Sequence, residues 1–287
     1  MQYRLLAFAA LLIAGTLQTS LPAAAQSAAN PAPTATPTVE IPPALPPLVK
    51  YEHFISAGYL TPPIVRNEFS AGYPGARYRS TDLKAAVEFP LLGRTLTGMV
   101  KFDSRRFTYP HFGTAGPVIG CVPGSNNASC VTGIGPTGTG ALAVPSFQAR
   151  ENDYDIRAGV RALEPRLYLG VSYLQRTNNY GYPRLKGYGL GFEKLPDVDQ
   201  VFSLYGGIYY YPSLRGTFTV PGGPSAGTQL ELAYHVVRYD VGLTIKPSAT
   251  SPFFLEAGYL GDRSKNANNA PATISRSAPF LGLGVNF

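Results

Sequence analysis

The sequence predicts an all-β fold, a transmembrane antiparallel up-and-down β-barrel of about ten strands, with eight or twelve strands as the alternatives. Three observations predict it. Apolar and polar residues alternate with a period of two from about residue 50 to the end of the chain. The 31 glycines and 27 prolines are too many for a helical protein, because both residues interrupt helices. The connections between the alternating segments are mostly short and long in turn, as in a membrane barrel.

The amino-terminal residues 1–25 are predicted to be a secretory signal peptide. Arg4 precedes an apolar run from Leu5 to Leu17, and small residues follow up to Ala25. A run of this length falls short of the roughly 20 apolar residues that a spanning helix needs. We therefore expect cleavage after Ala25 and export of the rest of the chain.

Residues 26–48 form a Pro-rich periplasmic linker in this interpretation. Prolines recur from Pro31 to Pro47, and they favour an extended chain that cannot pack into a core. A plain spacer is one interpretation of this tail. The other is a tether that binds a partner in the periplasm.

The barrel itself is predicted for residues 49–287. Leu230, Leu232 and Tyr234 alternate out of phase with the segment from Tyr239 onward, and a β-bulge near 236–237 would restore the register. The ten alternating segments lie at roughly 50–60, 77–90, 94–107, 150–163, 166–178, 183–195, 200–212, 228–246, 252–263 and 274–287.

The end of the chain decides between a membrane barrel and a water-soluble barrel of opposite polarity. Leu281, Leu283 and Val285 share one face, and Phe287 is the last residue. This segment resembles the C-terminal strand of bacterial outer-membrane β-barrel proteins. The resemblance implies a location in the bacterial outer membrane and a barrel-insertion machinery that reads Phe287. It assigns no subfamily.

Aromatic residues near the predicted strand ends fit the girdles that such barrels carry at both lipid interfaces. The chain has 19 tyrosines and no tryptophan, so tyrosine would fill this position. The residues assigned to the girdles are Tyr78, Phe107, Tyr109, Tyr180, Tyr182, Tyr209, Tyr210 and Tyr211.

The polar face of the strands carries charges of both signs, which a membrane barrel turns inward. Buried charges must pair, because an isolated one is very costly. A rigid plug of salt bridges is one interpretation, and a narrow porin-like channel for small solutes is the other. The predicted interior charges are Asp82, Lys84, Glu88, Lys101, Asp103, Asp155, Arg157, Arg161, Glu231, Arg238, Asp240 and Glu256.

Cations are concentrated at the long-loop ends of the predicted strands, where a basic rim would face the outer leaflet. Arginine binds phosphate well, so we expect the rim to bind lipopolysaccharide beside other outer-membrane lipid. Nucleic acid is not an expected partner of an exported barrel. The residues proposed for lipopolysaccharide binding are Arg77, Arg79, Arg105, Arg106, Arg176, Arg184 and Lys186.

The only two cysteines, Cys121 and Cys130, lie close together in the longest loop. Exported proteins reach an oxidising compartment, so this spacing predicts a disulfide. A non-reducing mass measurement that finds two free thiols would reject the pairing. A closed loop of this kind suits a surface that recognises or adheres to something.

Little in the sequence suggests catalysis. The three histidines have no metal-ligand spacing, and no cofactor motif is present. We therefore predict a non-enzymatic barrel with ordered surface loops and a role in envelope structure, recognition or adhesion. The first alternative is the narrow channel. The second is a hydrolase of peptides or lipid A at the outer rim, which would depend on His111.

Overall fold

A computed structural model describes residues 51–61, 63–66, 80–92, 95–111, 147–179, 181–197, 199–219, 227–270 and 273–287 of the chain. Almost all of this described part is β-strand. The strands are β1 His53–Leu60, β2 Ile64–Arg66, β3 Ser80–Leu91, β4 Leu96–His111, β5 Phe147–Leu163, β6 Leu167–Asn178, β7 Leu185–Lys194, β8 Phe202–Thr219, β9 Gln229–Ile245, β10 Phe253–Ala267 and β11 Ile274–Asn286.

The strands close into a ring. From β3 onward each strand pairs antiparallel with the next, β1 pairs with β3, and β1 also pairs with β11. The short strand β2 pairs with β11 as well, next to the residues that face β1, so β1 and β2 share one place in the wall. The ring therefore has ten places. The prediction of an antiparallel up-and-down barrel of about ten strands is confirmed.

The outside of the barrel is apolar and the inside is charged. Val160, Leu281 and Leu283 are exposed on the outer surface, whereas Arg157 and Arg238 on the inner face are fully buried. A closed sheet satisfies all its backbone hydrogen bonds, and an apolar exterior is stable only in lipid. The fold is that of a transmembrane β-barrel. No helix in the described part of the chain is long and apolar enough to cross a membrane.

The apolar outer surface is bounded by aromatic residues. We call the end with the short connections the lower end, which is periplasmic in barrels of this class. Phenylalanines mark the lower edge and tyrosines the upper edge. From Phe202 to Tyr210 on β8 the height is about 21 Å, at 3.4 Å per residue and a tilt of about 40°. The outward tyrosines, here called the tyrosine girdle, are Tyr59, Tyr154, Tyr173, Tyr188, Tyr210, Tyr239 and Tyr259.

This girdle differs from the predicted one. Phe107, Tyr109, Tyr182, Tyr209 and Tyr211 are buried inside the barrel. Tyr210 alone of the assigned residues lies in the girdle that the described residues form, and Tyr78 and Tyr180 lie outside the described residues. The prediction was wrong because nearness to a strand end sets only the height of a side chain. The parity of its position decides which face it occupies.

The longest strands continue well above the lipid. β8 has 18 residues and β9 has 17, which exceeds the 9–11 residues or so that a tilted span needs. In this upper part the polarity of the two faces is exchanged, so the outer face is polar and the inner face apolar. Arg215 and Thr217 are exposed on the outside, while Leu214 and Phe218 pack inside in an apolar cluster. The upper barrel therefore resembles a water-soluble barrel stacked on a membrane barrel.

The exchange explains the two phases that the sequence shows in β9. The strand alternates without a break, and Leu232, Tyr234 and Val236 all point inward. The predicted bulge near Val236–Val237 is therefore wrong. The register shift lies in the neighbouring strand β8, between Tyr211 and Leu214.

Two inward glycines show how large aromatic side chains fit inside a narrow barrel. The ring of Tyr209 lies over Gly191 on the neighbouring strand, and the ring of Phe254 lies over Gly284. A Cβ atom at either glycine would overlap the ring. These positions therefore need glycine for space, and the aromatic rings lie flat against the wall.

Candidate functional site

The middle of the barrel is filled by an ion network whose members come from alternate positions of several strands. Lys101, Asp103 and Arg105 follow one another in this way on β4, and Asp155 and Arg157 do so on β5. Alternate side chains of a strand share a face, so this local pattern places opposite charges side by side on the inner wall.

Arg157 is the centre of the network. Its guanidinium lies 2.6 Å from the carboxylate of Glu193, 2.9 Å from that of Asp155 and 3.4 Å from that of Asp240. Lys101 reaches the other oxygen of Glu193 at 2.5 Å. These charged side chains are 0–1% exposed. Each cation therefore faces carboxylates rather than water.

A second part of the network surrounds Asp153 on β5. Three arginines converge on this carboxylate, with Arg176 at 2.9 Å and both Arg238 and Arg276 at 2.8 Å. Arg276 also reaches Asp262 at 2.6 Å. A single carboxylate thus receives charge from β6, β9 and β11.

Lys84 fills the space nearest β1 and β10. Its ammonium group lies 3.0 Å from Asp82, 3.2 Å from Glu256 and 3.2 Å from the hydroxyl of Tyr205. It also lies 4.0 Å from the centre of the Phe280 ring, within the range of a cation–π interaction. The lysine is held by charge on one side and by aromatic surface on the other.

The lower mouth of the barrel is closed by a separate ion cluster. Arg166, in the turn between β5 and β6, pairs with Glu52 and donates to the carbonyl of Pro196 at 3.1 Å. Arg161 reaches Glu88 at 3.1 Å, and the backbone N–H of Glu52 donates to the same carboxylate at 2.9 Å. The residues just before β1 are thereby held across the mouth.

The predicted interior charges are distributed as follows. Glu231 is on the outside of the upper barrel, where it pairs with exposed Arg215 at 3.2 Å. The prediction of Glu231 as an interior charge is therefore wrong. Above the lipid the outer face is polar and the inner face apolar, so this carboxylate points outward. The other predicted residues point inward, namely Asp82, Lys84, Glu88, Lys101, Asp103, Asp155, Arg157, Arg161, Arg238, Asp240 and Glu256.

The rim prediction needs a larger correction. Arg106, Arg184 and Lys186 are exposed on the outside, but Arg105 and Arg176 are buried in the ion network. Both buried arginines lie near the long-loop ends of their strands, as predicted, yet their parity turns them inward. Strict application of the alternation would have found them. Arg77 and Arg79 lie outside the described residues.

Sequence reasoning missed further inward residues. Some lie near the long-loop ends of strands that extend above the lipid, whereas Glu52, Arg166 and Glu193 lie near the lower end. The missed members of the network and of the lower mouth are Glu52, Glu151, Asp153, Arg166, Glu193, Asp262 and Arg276.

The chemistry available to the described residues is that of a filled lumen. No group of three histidine, cysteine or acidic side chains among them could hold a metal ion. His235 points outward and bonds to the carbonyl of Pro212, and His53 lies at the lower end beside Phe287. The side chain of His111, the cysteines Cys121 and Cys130, and residues 1–50 lie outside the description.

The combination of an apolar, aromatic-edged exterior with a charged interior is the arrangement of bacterial outer-membrane barrels. This chain has the fold of an outer-membrane β-barrel. A scan against protein-family models gives no match, and a search of curated proteins gives no significant match.

The solved structures to which the chain is similar include two different proteins. One is Ail, the attachment invasion locus protein of Yersinia pestis, in complex with the heparin analogue sucrose octasulfate; the identity is 14%, the TM-score 0.30, and the match covers 83% of this chain and 100% of Ail. The other is the outer membrane protease OmpT from Escherichia coli, at 12% identity and a TM-score of 0.37, covering 83% and 96%. Similarities this weak carry no argument about activity.

Proposed function

We propose that this barrel is a non-conducting, non-enzymatic component of the outer membrane that supports envelope structure and presents its long loops for recognition or adhesion. The observation that carries the proposal is that the ion network spans the lumen from wall to wall. Arg105 on β4 lies 3.1 Å from Asp240 on β9. These strands are five places apart in a ring of ten, so the pair joins opposite walls.

Two further layers support a closed lumen. Lys84 on β3 and Tyr205 on β8 are also five places apart and lie within 3.2 Å. Above the network, the apolar cluster that includes Leu214, Leu232 and Tyr234 fills the upper barrel. A hydrated ion would have to break buried pairs and then cross an apolar layer, and both steps are costly.

Lipopolysaccharide is the lipid partner in this proposal. Exposed cations lie directly above the tyrosine girdle, at the height where the phosphates of the outer leaflet begin. Arginine and lysine at that height can bind phosphate without insertion into the hydrocarbon.

Conductance in a planar bilayer tests the closed lumen. We expect the refolded protein to give no discrete conductance steps at moderate voltage. The variant Arg105→Ala/Arg157→Ala, which removes two cations from the lumen, serves as a positive control for a widened path if circular dichroism shows that it remains folded. Steps from the unmodified protein would contradict the proposal and favour the narrow channel.

A further inference from the structure

The described cations above the girdle are not spread evenly around the barrel, and their distribution points to a docking surface. We propose that the outer face of β7 to β10 binds the phosphates of one lipopolysaccharide molecule. We call this surface the basic patch. The inference rests on the proposed lipid partner but replaces an even belt by a single site. Its cations are Arg184, Lys186, Arg215, Arg263 and Lys265.

All five cations are exposed, and one carboxylate, Glu231, is the only acidic side chain that β7 to β10 turn to this surface among the described residues. Arg215 is in register with Lys186 on the neighbouring strand and pairs with Glu231 at 3.2 Å. On the other half of the patch, Lys265 is in register with His235. Most of the positive charge therefore has no acidic neighbour on the surface.

Among the described side chains, the opposite side of the barrel carries fewer cations at the same height. Among the described side chains of β3 to β6, the outward cations above the girdle are Arg106 and Arg150. Arg106 donates to the side chain of Asn152 at 2.9 Å. Gln175 and Thr177, the outward residues of β6 at this height, are uncharged. The electrostatic potential of the described outer surface therefore favours the binding of anions at β7 to β10.

The order of side chains along these strands matches the order of groups in a membrane lipid. On β7, Lys186 is followed downward by Tyr188 and Leu190, all on the outside. On β10, Arg263 stands above Tyr259 and Leu255 in the same way. Two to four residues separate cation and tyrosine, which is about 5–10 Å along the barrel axis. Phosphate, sugar and acyl chain would meet cation, tyrosine and apolar side chain in turn.

Two groups of cations suit a headgroup with two phosphates. Lys186 and Arg215 stand together on β7 and β8, and Arg263 and Lys265 stand together on β10. The four strands span about 14 Å at 4.8 Å between neighbours. Fixed cations can neutralise phosphates without a divalent ion, so binding at the basic patch should survive a chelator.

Charge reversal on the two sides of the barrel tests the site. The patch variant is Lys186→Glu/Arg263→Glu, and the matched control is Arg106→Glu/Arg150→Glu, with the same change of net charge on the opposite side. Binding of fluorescent lipid A to protein in detergent micelles is titrated with EDTA present, and native mass spectrometry counts the lipid A molecules retained. Phosphatidylglycerol serves as a lipid with one phosphate. Heat-dependent gel mobility confirms that each barrel is folded.

We expect one lipid A molecule per barrel and a loss of affinity of at least about tenfold in the patch variant, since two charged hydrogen-bonding groups are reversed. The control variant should stay within about twofold of the unmodified protein, and phosphatidylglycerol should bind more weakly than lipid A. Equal losses in both variants, no loss in either, or binding that disappears with EDTA would each overturn the basic patch. None of these outcomes would affect the closed lumen, which the conductance experiment tests separately.

Discussion

Replacement of Glu193 by Leu should cost the barrel a large part of its stability. This carboxylate lies 2.5 Å from Lys101 and 2.6 Å from Arg157, and all three side chains are buried. The substitution keeps a similar volume but leaves two buried cations with fewer partners. Loss of one member of a buried ion pair typically costs about 3–5 kcal/mol. We therefore expect Glu193→Leu to lower the free energy of unfolding by that amount.

The role of charge can be separated from that of shape by a second substitution. Lys101→Met in the Glu193→Leu background removes one of the two cations that lost Glu193 as a partner, and it places apolar side chains in contact. The double variant should therefore be at least about 1 kcal/mol more stable than the sum of the single effects predicts. Glu231→Leu is the matched control, because Glu231 is a paired carboxylate on the exposed outer surface. That change should stay within about 1 kcal/mol of the unmodified protein.

Urea unfolding in lipid vesicles measures these free energies. The chain has no tryptophan, so far-ultraviolet circular dichroism and heat-dependent gel mobility are suitable probes. The reasoning would be refuted if Glu193→Leu and Glu231→Leu had the same stability within about 0.5 kcal/mol, the usual range for surface substitutions.

Three other substitutions, one of them with a control substitution, test separate parts of the barrel by the same unfolding assay. Gly284→Ala should cost about 1–3 kcal/mol through overlap with Phe254, while Gly58→Ala, whose new Cβ would lie 3.5 Å from its nearest neighbour, should cost little. Arg166→Ala should cost about 3 kcal/mol and speed proteolysis just before β1, because the lower mouth loses its buried cation; unchanged cleavage would argue against this closure. Leu232→Ala should cost about 2–5 kcal/mol if the upper barrel has a packed core, and a cost below about 1 kcal/mol would contradict such a core.

The strands could be predicted from the sequence because each depends on a local pattern. The segment predicted at 166–178 is β6 Leu167–Asn178, and the one at 252–263 begins one residue before β10 Phe253–Ala267. Alternation with a period of two is imposed by the pleat of a single strand, so it can be read without knowledge of the neighbours. The positions at which the alternation stops also predict where the turns lie.

The site was predicted less well than the strands, for two reasons. Arg105 and Arg176 were assigned to the rim from their height alone, although the parity of their positions turns them inward. Glu231 was assigned to the lumen, although the polarity of the two faces is exchanged at its height. Within a strand the alternation is constant, but the environment of each face changes where the strand leaves the lipid. The sequence alone does not mark that boundary, since Leu232 inside the upper barrel and Leu243 on the outer face of the membrane-spanning part have the same side chain.

The sequence by itself predicted a closed β-sheet for a membrane, because the period of the alternation and the composition of the turns are local properties. Only the tertiary structure decided that an ion network joins opposite walls of the lumen, that the barrel continues above the lipid and that most of the described outward cations above the girdle lie on β7 to β10. Those properties depend on which strands face each other across the ring. Arg105 and Asp240 are 135 residues apart in the chain, and only closure of the sheet brings them together.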